Sequence, residues 1–158
     1  MLALSIKQPW TMLQLEYDKD VENRVWRCRY RGPVLFHNSK RFDINYGSLL
    51  HHSLFEPVHR IINNKIIGSM GAYNWNHGHI VGAGILCDIT EHPSSDWCIP
   101  GNWYWHFRDK FVFKKPIPCK GALKLFKPKI MKDDFQAIDY KKFCELSNIS
   151  KKLGFTKV

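Results

Sequence analysis

Short apolar runs alternate with turn residues along the chain, and their spacing predicts both strands and helices. Residues 2–7 (LALSIK) are apolar and too few for a helix, so they predict a strand. Pro9 then predicts a helix start, where its missing N–H is harmless, and Trp10, Leu13 and Tyr17 recur at the spacing of one helix face. Residues 20–26 (DVENRVW) alternate as a strand does, with Val21, Asn23 and Val25 on one side and Glu22, Arg24 and Trp26 on the other. YRGP at 30–33 turns the chain, and residues 34–37 form a further strand ending in Asn38, Ser39 and Lys40. Scattered apolar positions over residues 42–66 predict one or two helices, the second starting at Pro57. A Gly- and Asn-rich loop follows at 68–79. Residues 79–89 are a long apolar strand in which Gly82 and Gly84 permit a bulge or a close approach. A loop at 92–101 precedes strands at 102–107 and 110–113. Pro116, Pro118 and Gly121 then lead into a last strand at 122–126. A C-terminal extension over about 138–153 predicts a helix, with Phe143, Leu146 and Ile149 on one face. Short strands between turns, with a few helices, predict an α+β fold, a small barrel or sandwich with helical additions. No repeat or linker divides the chain, so a single domain over 1–158 is expected.

Composition sharpens this. With 158 residues the chain is long enough to bury a core without staples. Hydrophobic residues at 44% and charged residues at 24% exclude a disordered chain. The net charge of +10 attracts polyanions, so nucleic acid or a nucleotide is the expected partner. The six tryptophans provide more aromatic surface than a core of this size needs, hence candidates for stacking on bases. Five cysteines, at 28, 87, 98, 119 and 144, form no CxxC pair, so reduced thiols and a cytoplasmic location are expected, not a disulfide framework or a zinc ribbon. The N-terminal apolar stretch is too short for a signal peptide, and none is long enough to cross a bilayer, so no membrane partner is expected. Neither the eight histidines nor the carboxylates fall at ligand spacing, so no metal and no cofactor are expected.

Four segments in order carry a resemblance. ALSIKQPW (3–10), KDVENRVW (19–26), YRGPVLFHNSK (30–40) and PIPCKGALKLFKP (116–128) resemble the conserved segments of the ASCH domain family, small bacterial and phage members above all. The likeness runs from residue 2 to about residue 128, with a variable middle. It implies a PUA-like β-barrel flanked by helices, with a cleft beside the first helix. It also implies a ligand class, RNA or a modified nucleoside. Some members of the family hydrolyse the acyl amide of N4-acetylcytidine, and others are described as binding or cutting RNA. The family glycine that ends the first helix is Tyr17 here, which implies a different helix exit. In the hydrolytic members a threonine nucleophile stands where this chain has Glu22.

The candidate residues follow. Lys19, Glu22 and Arg24 form the sharpest group: one acid between two bases can bind the polar edge of a base. In a hydrolase, Lys19 and Glu22 are the candidate catalytic pair, as base and proton shuttle. The plain alternative is an ion pair bracing a strand. Ser39 and Lys40 offer contacts to a phosphate, or else a strand end with a solvated lysine. His37 is expected to be a hydrogen-bonded core or cleft histidine. Trp105 is a candidate for stacking, as are Tyr73 and Trp75, placed as a mobile aromatic lid in the 68–79 loop. Two basic stretches without acids, residues 24–41 and 110–132, are expected to lie side by side as a surface for a phosphate backbone. The expected function is an RNA- or modified-nucleotide-binding domain, acting as a monomer or small homo-oligomer. The alternatives are a hydrolase of the amidohydrolase or ribonuclease type, and a protein-interaction scaffold with its partner at 42–66.

Overall fold

A computed structural model describes residues 1–68 and 74–155. The strands are β1 (Leu2–Gln8), β2 (Val21–Arg24), β3 (Gly32–Phe42), β4 (His79–Thr90), β5 (Trp103–Pro118) and β6 (Leu125–Phe126). The α-helices are α1 (Trp10–Glu16), α2 (Tyr46–Leu49), α3 (His52–Gly68) and α4 (Ala137–Lys152). All six strands join one sheet in the order β2-β5-β4-β3-β1-β6, mostly antiparallel, with β1 and β3 parallel. The result is an α+β fold with a curled, half-barrel sheet. The curl is visible in one bond: Arg24, on the edge strand β2, donates from Nη2 to the carbonyl of Ser5 on β1 at 2.7 Å, although β1 is four places along the sheet.

Both faces of the sheet are covered. Leu4 and Ile6 of β1, Val34 and Phe36 of β3, and Trp105 and Phe107 of β5 pack with α1 and with Val58 and Ile62 of α3. The alternate residues Ala3, Leu35, Ala83, Ile85 and Phe113 pack with Phe143 and Leu146 of α4. Double coverage explains why β4 shows no polar alternation: both of its faces are interior. Gly82 is required at a close crossing, because a Cβ there would come 2.5 Å from the carbonyl oxygen of Phe111 on β5. The irregular register between β4 and β5 falls around the same residue.

Several boundaries differ from those expected. Residues 103–118 make one strand, β5, instead of two; Asp109 absorbs the bend with φ 51°, so the chain turns without leaving the ladder. Pro57 lies inside α3, in its second turn and exposed, where its missing N–H leaves the rest of the helix in place. β2 stops at Arg24, and Val25 swings out, 81% exposed, while Trp26 turns back edge-on to Trp105 at 4.6 Å. β3 runs on through Ser39 and Lys40 to Phe42, and β6 is only two residues long. At Tyr17 the helix exit is extended (φ −134°, ψ 176°), so α1 ends without the left-handed residue a glycine would supply. Among the described residues no helix is long and apolar enough to cross a membrane.

Candidate functional site

The half-barrel leaves an opening between its edges, and a cleft of about 640 Å³ fills it. Ser5 and Lys7 enter it from β1, Glu22, Asn23 and Arg24 from β2, and Ser39, Lys40 and Arg41 from β3. Lys19 lies beside them in the segment between α1 and β2. Five of the eight ligand-binding candidates read from the sequence, Lys19, Glu22, Arg24, Ser39 and Lys40, therefore line one cavity.

Glu22 is the centre of the floor. Its side chain is nearly buried and stands between two cations: Oε2 lies 3.1 Å from Lys19 Nζ, and Oε1 lies 3.1 Å from Arg24 Nη2. Lys19 is 1% exposed. It also donates to the Val21 carbonyl and, at 3.4 Å, to Gln14 Oε1. The floor is thus an ion pair bracing a strand and, equally, the wall of a cavity; the two readings describe the same atoms. Each carboxylate oxygen of Glu22 makes one bond and keeps acceptor capacity. Arg24 Nε is buried and makes no hydrogen bond among the described residues. Behind Lys19, Lys110 donates to the Lys19 carbonyl at 2.8 Å. Burial first, and then the Lys19 charge, lower the pKa of Lys110 below the usual lysine value.

The rim is basic and partly apolar. Lys40 and Arg41 are exposed, and Lys7 reaches Asp43 at 3.8 Å with its own side chain half exposed. Ser39 Oγ donates to the Arg41 carbonyl at 3.1 Å, which shapes this corner. Leu123, 92% exposed, and Leu49 of α2 stand at the mouth. Asn23 closes one wall by holding the 97–99 loop, donating to the Trp97 carbonyl at 2.9 Å and accepting from the Ile99 N–H at 2.8 Å. Five cations face two carboxylates around the cavity, so its field is positive.

His37 is 2% exposed, in keeping with the core or cleft histidine expected. Its Nε2 lies 2.9 Å from the Cys119 carbonyl, which only accepts, so Nε2 carries the proton and Nδ1 faces Ser5 Oγ at 3.1 Å as an acceptor. Burial, the larger influence, pushes this imidazole below the ordinary histidine value, against the raising effect of the Cys119 bond.

The aromatic candidates are placed otherwise. Trp105 is a correction: it is fully buried, directly across the ladder from Glu22, with Nε1 donating to the Trp26 carbonyl at 3.1 Å, so neither ring face meets a ligand. Trp75 is half-buried and packs edge-on against Phe42 at 4.9 Å, while its carbonyl accepts from Asn38 and Gln8; it is a packed residue and not a mobile lid. Tyr73 lies outside the described residues. The two basic stretches are not neighbouring strands, since β4 runs between β3 and β5; they touch at His37 and Cys119, and at the cleft, where Leu123 joins Lys40 and Arg41.

Sequence reasoning missed Trp10, Asp43 and Ser5. Trp10 borders the cleft and donates from Nε1 to Asp43 Oδ2 at 3.1 Å. Asp43 carried a signal, being the single acid between Glu22 and Glu56. Among the described residues no three His, Cys, Asp or Glu side chains are placed to hold a metal ion. No family model matches the chain, and no curated protein does.

Proposed function

We propose that this cleft binds the base and sugar of a nucleoside-derived ligand, within RNA or as a modified nucleotide, on a PUA-like barrel of the ASCH type. The observation that carries the proposal is the floor: Glu22 pinned between Lys19 and Arg24 beneath the exposed cations Lys40 and Arg41. A planar heterocycle presents donors and acceptors on one edge. Glu22 accepts from that edge, and Lys40 and Arg41 meet the phosphate.

The test is a thermal-shift screen of nucleosides and nucleotides, followed by RNA binding across a salt series. A ligand bound only by the folded state raises the melting temperature by mass action. Glu22→Gln should abolish the shift. Lys40→Ala with Arg41→Ala should weaken RNA binding and flatten the plot of log affinity against log salt by roughly 0.7 per lost phosphate contact. No shift with any nucleoside, together with salt-independent RNA binding, would remove the proposal.

One observation favours a hydrolytic second reading. The cleft has no threonine at position 22, yet Ser5, in its wall, sets its hydroxyl against the acceptor nitrogen of His37. Release of acetate from N4-acetylcytidine by the wild type, lost in Ser5→Ala and in Glu22→Gln, is the result that reading requires. Equal release by all three proteins would end it.

A further inference from the structure

The turn between β2 and β3 builds a second basic hollow, also of about 640 Å³, lined by Arg27, Cys28, Arg29, Arg31, Ile89 and Trp103. Its arginines divide by partner. Arg31 donates to the carbonyls of Cys28 at 3.3 Å and Tyr30 at 2.9 Å, and meets Asp88 at 3.3 Å, so it holds the turn in shape. Arg27 and Arg29 are exposed and, among the described residues, meet no carboxylate. Arg27 instead lies over Trp103, its guanidinium carbon 5.0 Å from the ring centroid. This layer adjoins the cleft: Trp103 is the cross-strand partner of Arg24 in the β2–β5 ladder, so the two side chains share one face of the sheet.

We propose that the ligand of this protein is a single-stranded nucleic acid that passes from the cleft into the arginine hollow, with its phosphates on Arg27 and Arg29 and a base laid against the Arg27–Trp103 layer. The proposal rests on the reading of the cleft as a nucleoside site and goes beyond it by adding a second contact surface and requiring an unpaired strand. Three observations support it. Arginines 27, 29 and 31 repel one another, and among the described residues a carboxylate meets Arg31 alone; a phosphate backbone supplies the missing charge. A guanidinium stacked on an indole is a platform on which an unpaired base can lie, whereas a base inside a duplex has no free face. Finally, a mononucleotide occupies one hollow, and the arrangement offers two, joined along Arg24 and Trp103.

The experiment compares nucleoside monophosphates with labelled RNA and DNA single strands of about eight nucleotides, binding to the wild type and to the Arg27→Ala, Arg29→Ala double variant. The strand should bind the wild type at least tenfold more tightly than any monophosphate. The double variant should lose about tenfold for the strand, with a salt slope smaller by about 1.4, and nothing for the monophosphate. RNA and DNA arms tell which sugar is accepted. A strand that binds no better than a monophosphate, or that is indifferent to the double variant, overturns the proposal and leaves the cleft reading standing. Strand binding that depends on Arg27 and Arg29, without any monophosphate binding, keeps the hollow and removes the cleft reading. Equal losses for both probes would show that the substitutions act through the fold, and would also overturn it.

Discussion

Glu22 is nearly buried and pairs with two cations, and that determines how it responds to change. Replacing it by glutamine leaves Lys19, 1% exposed, without a counter-charge. Breaking a buried pair from one side costs about 3–5 kcal/mol, so Glu22→Gln should lower the urea midpoint by that equivalent even before ligand binding is measured. His37 gives a second prediction. Its folded pKa is depressed, so it favours the folded state fully above the unfolded value of 6.5, and that contribution is lost as pH falls through the folded value. Urea unfolding of the wild type should therefore weaken from about pH 6.5 downward by more than unfolding of His37→Asn, whose curve should be flatter. At this scale the sequence was informative about which residues meet and uninformative about how deeply. The alternation of Glu22 and Arg24 placed them on one face. Nothing in KDVENRVW announces that Lys19 is sealed from solvent, because that depends on Trp10 and Gln14 folding over it. Trp105 misled for the same reason: the ladder sets it opposite Glu22, and only the packing of Trp26 shows that face to be closed there.

Among the elements, β4 and β5 are held at a distance that only glycine allows. Gly82→Ala would drive a methyl group into the Phe111 carbonyl and should cost about 1–3 kcal/mol, read from thermal or urea unfolding. The sequence pattern found this strand and its glycines because a continuous apolar run has few other uses. It divided β5 in two because Arg108 and Asp109 are polar and prolines follow; an edge-to-edge bend inside a strand leaves no different trace from a loop. The helices over 42–66 were anticipated in kind, while Pro57 drew the boundary to the wrong place: it stands inside α3, where its ring removes one i→i−4 bond and the helix continues on both sides of it.

Across the whole molecule, both core clusters draw on β3, β4 and β5, so they should unfold together. A built-in reporter tests this. All six tryptophans, Trp10, Trp26, Trp75, Trp97, Trp103 and Trp105, pack with the first cluster, whereas Phe143 belongs to the second. Phe143→Ala should cost about 3–5 kcal/mol and shift the tryptophan-fluorescence midpoint as far as the circular-dichroism midpoint. A fluorescence transition left in place would show two independent units. Overall composition was a sound guide to charge, but it counted the tryptophans as surplus when all six pack with the first core cluster. The outermost strands have a further consequence. β2 has four residues and β6 only two, so each of these outermost strands offers too few unpaired N–H and C=O groups to template another chain. Beyond β2, residues 107–118 of β5 keep an outer edge that no described strand covers, and there the exposed Arg108, Lys114 and Lys115 set charges against pairing, so concentrated stocks should form no fibrils.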